Sequence, residues 1–443
     1  MESLPRSRAI ARTSSPVSQG TKKPTDISTA DQARGLSGRP DARSAPVGPA
    51  ARNALRGKGF GGSLGTTAKS AAAQGEIDRE TGEISGVEPA VDPMLFRVQR
   101  FALQSVVKGL MGSSRTAKCL RWRIKDATVK VWKSHEYRTA SYSGLQTCGS
   151  VWACPVCAAK VAERRRAEII GAMAAHKAAG GGVFLLTLTA PHQRGDCIVD
   201  LLAKHSKALR RFWSLRSVKT TLADMGNLGQ IRAAEVTHGR RSEFNNGWHP
   251  HHHVLLFVGG GVVDEATRKD WAVRLYLQWS ASCEAFGLGV PSFAHGLKLD
   301  DGSKASAYVS KWGLEDEMTK GHTKKASKGE TPFDFLRAVL ADASDKEAGR
   351  LFVEFAEAFK GKRQLTWSPG LKRRFGIGEV SDEELAAKQD DLARLLGSLS
   401  VIQWRAVLRA EGRGELLRLA AGPGGWEAVE SYLASVCWKP HMS

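Results

Sequence analysis

The stretch Trp248-His249-Pro250-His251-His252-His253-Val254-Leu255-Leu256-Phe257 decides how the rest of the chain is read. Its imidazoles stand at the head of an apolar run of strand length. Side chains of a strand alternate between its faces, so His249, His251 and His253 are expected on one face and His252 on the other. A single histidine at a strand end is ordinarily a satisfied polar residue. Two imidazoles two residues apart on one rigid strand are half of a divalent-metal site, and their position ahead of an internal apolar strand, not in a tail, favours that reading.

Upstream, VFLLTLTA at 183–190 reads as a buried strand followed by Pro191-His192, and QIRAAEVT at 230–237 as a second strand carrying Glu235. The Arg-, Ser-, Asn- and Gly-rich segment between Gly239 and Gly247 suits a tight hairpin that sets Glu235 beside the histidine strand. Helices are expected within 198–222 and at 265–286, a strand near 292–299, and a short helix at 303–313. The order βαββαβ followed by α predicts an α+β fold: a ferredoxin-like split βαβ unit with a mainly antiparallel sheet and flanking helices. On the short helix, Tyr308 and Lys311 are three apart and share a face. A phenol oxygen can accept a phosphoryl group, and a neighbouring ammonium can hold a phosphate. By itself this pair is common on amphipathic surfaces.

Three thiols, Cys148, Cys154 and Cys157, fall within ten residues, with Cys119 available as a fourth. That density suits tetrahedral zinc in a structural site. The redox reading of Cys154-Pro155-Val156-Cys157 is weaker, because no thioredoxin-like βαβ pattern surrounds it. A helix at 158–179 follows, with Arg164, Arg165 and Arg166 in its second turn and Gly180-Gly181-Gly182 as its stop. The arginine run is equally readable as a solvated face or as a DNA contact.

At 443 residues the chain can hold two or three domains, and its formal charge of +20 favours a polyanionic partner. Residues 1–60 hold 11 Lys and Arg against four Asp and Glu, so most of the excess falls on foldable sequence. Residues 1–92 are expected to be a disordered basic tail. The other segments are 93–182 with the cysteines, 183–320 as the core, 321–380 as its extension, and 381–443 as a helical C-terminal region. The extension holds a polar, basic loop at 321–329, an amphipathic helix at 331–360 and a strand or turn at 364–368. The last region starts at the capping sequence from Ser381 and runs in helices to about Cys437, with Trp404 and Trp426 as core aromatics. No apolar run reaches the roughly 18–20 residues of a membrane span, which predicts a cytoplasmic protein.

TLTAPH at Thr187–His192, EVT at Glu235–Thr237, NGWHPHHHVLL at Asn246–Leu256, AYVSKW at Ala307–Trp312 and RQLTWSPGLKRRFGI at Arg363–Ile377 occur in an order that resembles the rolling-circle replication initiators of small plasmids, members of the HUH endonucleases. The likeness spans about 95–380. It implies that His251 and His253, helped by Glu235, hold Mg2+ or Mn2+ against a scissile phosphate, that Tyr308 is the nucleophile, and that Lys311 stands at the family's lysine position. It also implies structural Zn2+ at the cysteines, single-stranded and origin DNA as substrate, and host helicase and replication machinery as partners. Two departures stand out. His252 replaces the plain hydrophobe between the ligands, and Lys304 occupies the position where one branch carries a terminating glutamate. Glu315, seven residues after Tyr308, is the acid expected to replace it, with Tyr308 of a second protomer in a homodimer as the rival acceptor. Relaxases, single-tyrosine transposases and a non-catalytic zinc-stabilised regulator are the alternative readings.

Overall fold

The computed structural model describes residues 76–77, 84–85, 93–134, 139–261, 263–310, 329–388 and 392–437. Almost all of the tail expected at 1–92, together with Lys311, Glu315 and the basic loop at 321–328, lies outside the described residues. The short strands β1 (Glu76–Ile77) and β2 (Ile84–Ser85) pair antiparallel with each other. Strands β3 (Val129–Ser134) and β4 (Thr139–Ser143) and the late strand β10 (Arg394–Leu399) form one sheet, in the order β10-β3-β4. Five others, β5 (Gly182–Thr189), β6 (Asn227–His238), β7 (Trp248–Val258), β8 (Leu297–Asp300) and β9 (Leu365–Trp367), form a second sheet in the order β8-β5-β7-β6-β9. Every pairing is antiparallel. Strands β5 and β6 consequently run parallel with β7 between them.

Alternation gives the larger sheet two buried faces. Leu186, Leu188, Val254, Leu256 and Val258 pack on one side with residues of the Ile198–Ser214 and Glu265–Glu284 helices, such as Phe212 and Trp279. Leu185, Ile231, Leu255 and Phe257 pack on the other, against Ile169 and Ala172 of the Pro155–Ala178 helix and Ala305 and Val309 of the Gly302–Ser310 helix. A sheet buried on both faces reads as near-continuous apolar runs, as VFLL and VLLFV do.

The structure departs from the sequence expectations in four places. The helix expected within 198–222 is two, Ile198–Ser214 and Arg216–Asp224, parted at Leu215, whose backbone is extended. The strand placed near 292–299 begins at Leu297, because Ser292 accepts the Gly296 amide at 2.7 Å and closes a helical turn over Phe293–Gly296. The helix expected over 331–360 is two helices, Pro332–Ala341 and Lys346–Ala358. Asp342 turns the chain by accepting the Ser344 amide, and Asp345 caps the second helix through the Ala348 amide. The C-terminal region is not wholly helical: β10 pairs with β3 before the helices Val401–Arg409, Arg413–Ala421 and Gly425–Cys437. Its leucines suit a helix, but pairing with β3 and the Trp426 ring packed on Gly397 override that propensity. Val131, Tyr142, Trp404, Leu416 and Val429 share one core, so segments 93–182 and 381–443 are knit together. Trp404 is buried as expected, while Trp426 is partly buried against this core. No described helix is long and apolar enough to cross a membrane.

Candidate active site

Strand register assembles the first cluster. Antiparallel pairing sets Glu235 of β6 directly opposite His251 of β7, and Thr187 and Thr189 of β5 opposite His253 and His251. One oxygen of Glu235, Oε2, lies 3.4 Å from His251 Nε2 and 3.6 Å from His253 Nε2. The other, Oε1, accepts the Tyr308 hydroxyl at 2.5 Å. Tyr308 is carried by the Gly302–Ser310 helix, which Ala305 and Val309 anchor to the sheet and whose first turn is fixed by Asp301 accepting the Ser303 amide at 3.0 Å. Its ring packs on His253, with centroids 4.5 Å apart.

The outer ring nitrogens orient the imidazoles. His251 Nδ1 lies 3.2 Å from the His249 carbonyl. A carbonyl only accepts, so the proton resides on Nδ1 and Nε2 keeps its lone pair. His253 Nδ1 is held by the Thr187 hydroxyl at 3.0 Å. Metal-binding histidines are ordinarily tied in this way. Burial pulls the pKa of His253 below the imidazole range, so a neutral ring is favoured. Burial opposes the charge of the Glu235 carboxyl, but its contacts with His251 and His253 and the Tyr308 hydroxyl that donates to it hold its pKa down at about 2. Burial and the Glu235 charge push the Tyr308 phenol well above its ordinary value.

His252 points to the opposite face. It stacks on His205 with centroids 5.0 Å apart and planes inclined by 15°. Burial drives both pKa values down, that of His205 to about 3. The two rings act as neutral core aromatics, so His252 does the work of the hydrophobe expected between two ligands. Tyr276, another tyrosine, lies on the helix that covers this opposite face, and its hydroxyl donates to the Pro291 carbonyl.

Cys119, Cys148, Cys154 and Cys157 converge in the core, their sulfurs within 4.8 Å of one another. Three of the separations are 3.5, 3.7 and 3.9 Å. A tetrahedral ion with bonds of about 2.3 Å places its sulfurs about 3.8 Å apart. Cys154 and Cys157 sit at the start of the Pro155–Ala178 helix, and the Gln104 amide donates to Cys154 Sγ at 3.2 Å. Burial opposes ionisation of Cys154, but hydrogen bonds from Cys119, Cys148 and Cys157 hold its pKa well below the thiol range. The donor set fits a structural metal such as zinc.

Behind this cluster Gln104 Oε1 accepts from the fully buried guanidinium of Arg413 at 2.5 Å. Neither residue was indicated by sequence pattern. Thr187 was legible in principle, since alternation along TLT and the pairing with β7 place it on the face that carries His251 and His253. Arg164 and Arg165 bind neither cluster: they clamp the 380–388 segment through the Leu385 and Val380 carbonyls and Asp382, while Arg166 pairs with Glu163.

A family model described as a replication protein, Rep_1, matches residues 143–272. That span holds Cys148, Cys154 and Cys157 of the thiol cluster, Glu235, His251 and His253, and stops short of Tyr308. A Streptomyces lividans protein named Protein rep is 27% identical over 362 residues, covering 65% of this chain and 78% of the relative. A Streptomyces cyanogenus protein named Neomycin resistance protein is 32% identical over 141 residues, 26% of this chain and 31% of that one. No solved structure matches.

Proposed function

We propose that the chain is a plasmid replication initiator that nicks one strand of its origin through Tyr308 and later rejoins it. The observation that carries this reading is the single carboxylate of Glu235, one oxygen of which closes a triangle with two imidazole nitrogens while the other holds the tyrosine hydroxyl. The likeness to Protein rep and to the replication-protein model supports the biological setting. The sheet order, with β7 between β5 and β6, is the arrangement that a ferredoxin-like HUH core calls for, and residues 183–320 are proposed as that core.

Two neutral imidazoles and one carboxylate fit Mn2+ better than Mg2+, which prefers all-oxygen sets. A cation held there would polarise a phosphate oxygen and lower the cost of ionising the phenol. In this reading Tyr308 Oη attacks the scissile phosphorus, the bond from phosphorus to the 3′ oxygen breaks, and that oxygen takes up a proton to leave a 3′ hydroxyl. The phenol proton faces Glu235 Oε1, whose low pKa makes it a poor base on its own. Lys311 is proposed to hold the phosphate. Attack of a 3′ hydroxyl on the phosphotyrosine reverses the exchange and frees Tyr308, so rejoining needs no ATP.

The test is Tyr308→Phe, which keeps the ring and removes the attacking oxygen. With Mn2+ and single-stranded oligonucleotides tiling the replicon that encodes the protein, the parent should form a covalent adduct on denaturing gels and the variant none. DNA binding, measured alongside, should persist. An adduct retained by the variant moves the nucleophile elsewhere. No adduct from the parent, with DNA bound, favours a non-catalytic regulator.

A further inference from the structure

The helices Ile198–Ser214 and Arg216–Asp224 cover the sheet face opposite Tyr308, and their outer surface carries an unusual charge pattern. Residues 198–224 hold six basic side chains, Lys204, Lys207, Arg210, Arg211, Arg216 and Lys219, against two acids, Asp200 and Asp224, of which Asp224 is paired with Arg274 of the neighbouring helix. All six are exposed. Lys204, Lys207 and Arg211 follow an i, i+3, i+7 spacing and Arg216 and Lys219 an i, i+3 spacing, so each set shares a stripe. None of the six forms a salt bridge to a described carboxylate. The neighbouring Glu265–Glu284 helix behaves differently: Arg268 and Lys269 pair with Glu265, and Arg274 with Asp224 and Asp270. Between the two helical elements lies an open cleft of about 440 Å3 lined by Arg216, Ser217, Thr220, Thr221, Arg274, Leu277 and Gln278. With Arg274 already paired to Asp224 and Asp270, the cleft offers the Arg216 guanidinium beside the Ser217 and Thr220 hydroxyls and the Gln278 amide.

The geometry points to a second nucleic-acid surface: this helix pair binds the phosphate backbone of duplex DNA, with the Arg216 cleft taking a phosphate. The assignment deepens the proposed nicking function and rests on it for the identity of the polyanion. Cations with no described carboxylate partner give up little intramolecular energy on meeting phosphates, and each contact releases counterions from the duplex. From Lys204 to Arg211 the first set spans about 10 Å of helix axis, over which a duplex presents roughly one phosphate per 1.7 Å, and the second set follows on the next helix beyond Leu215. A single strand is a poorer fit, because its binding surfaces interleave exposed aromatic platforms with the cations. Here Phe212 is buried and Trp213 is partly buried with its indole nitrogen sequestered. The position behind the sheet also keeps the stripe away from a strand lying across Tyr308. It would hold the duplex flanking the nick while the other face handles the cut strand.

The experiment compares the full chain with a Lys207→Ala, Arg211→Ala, Arg216→Ala variant. An Arg115→Ala, Lys125→Ala, Lys346→Ala variant removes as many exposed cations elsewhere. Binding to an arbitrary duplex of about 30 base pairs is followed by anisotropy over a series of salt concentrations. The stripe variant should bind at least about tenfold more weakly near 0.1 M salt, and its slope of log K against log salt should fall by about 2–3, since each phosphate contact contributes about 0.9. The control variant should lose less than about one unit of slope. Equal losses in both variants would reduce the stripe to bulk charge and overturn the inference. Unchanged duplex binding would overturn it too, and would leave an acidic protein as the partner. Adduct formation on a short single-stranded oligonucleotide should stay at the parent level in the stripe variant. A parent that forms no adduct yet loses duplex affinity through the stripe substitutions would sink the proposed nicking function and leave this surface standing.

Discussion

Replacing Arg413 by Met should show how far the cysteine cluster and the C-terminal helices depend on each other. The guanidinium is wholly buried; it donates to Gln104 Oε1 at 2.5 Å and to the Leu120 carbonyl at 3.2 Å, and lies 3.9 Å from Glu411. Burial depresses its pKa to about 9, which marks it as a charge kept in an unfavourable medium by its partners. Met fills most of the volume but leaves Gln104 Oε1 and the Leu120 carbonyl without a donor, at about 1–3 kcal/mol each. Relief of the buried charge offsets part of that loss, and Glu411 keeps its 2.7 Å bond to Arg121. A net destabilisation of about 3 kcal/mol follows, in line with removing one member of a buried ionic network. Gln104 also donates to Cys154, so its reorientation should weaken metal retention. Urea unfolding followed by tryptophan fluorescence, with metal release to a chromogenic chelator read in the same samples, measures both effects. Arg418→Ala, on the same helix with a partly exposed partner in Glu415, should stay within about 0.5 kcal/mol. A loss below about 1 kcal/mol for Arg413→Met, with metal retained as in the parent, would refute the proposed coupling.

Three further outcomes are expected. His251→Ala should lower Mn2+ affinity by more than the roughly 10–100-fold typical of losing an outer-shell partner, and calorimetry showing parent affinity would remove this residue from the site. Cys154→Ser should abolish zinc retention and lower the unfolding midpoint, and elemental analysis that finds no zinc in the parent would reject the metal assignment at these thiols. Glu315→Ala should nick normally but accumulate multimeric plasmid DNA, whereas monomeric circles would shift termination to Tyr308 of a second protomer.

The larger sheet was legible because its periods are clean. VFLLTLTA, QIRAAEVT and HPHHHVLLFV are short apolar runs between turn residues, and their order left few topologies open. The convergence of Glu235 with His251 and His253 followed from hairpin register alone, and the cysteine cluster from density along the chain. Strand β10 was illegible: RLLGSL has no period-2 signal, and only the exposed edge of β3, some 260 residues earlier, makes it a strand. Arg413 was hidden for a related reason. An isolated arginine in a helix reads as surface, and nothing local shows that it fills a space behind Gln104. Long-range partners of this kind leave no periodic trace.

The β10-β3-β4 sheet has a consequence for how the protein is made. Strand β3 emerges from the ribosome more than 250 residues before the strand that completes its edge. Until then, an open edge rich in valine is a hazard for mispairing between nascent chains. A message broken or a translation stopped after residue 380 would release the complete set of residues proposed for nicking, joined to an N-terminal half lacking its last strand and Arg413. Such fragments should aggregate or be degraded. In the proposed role, β10 and the helices after it would separate a folded initiator from a half-made nuclease.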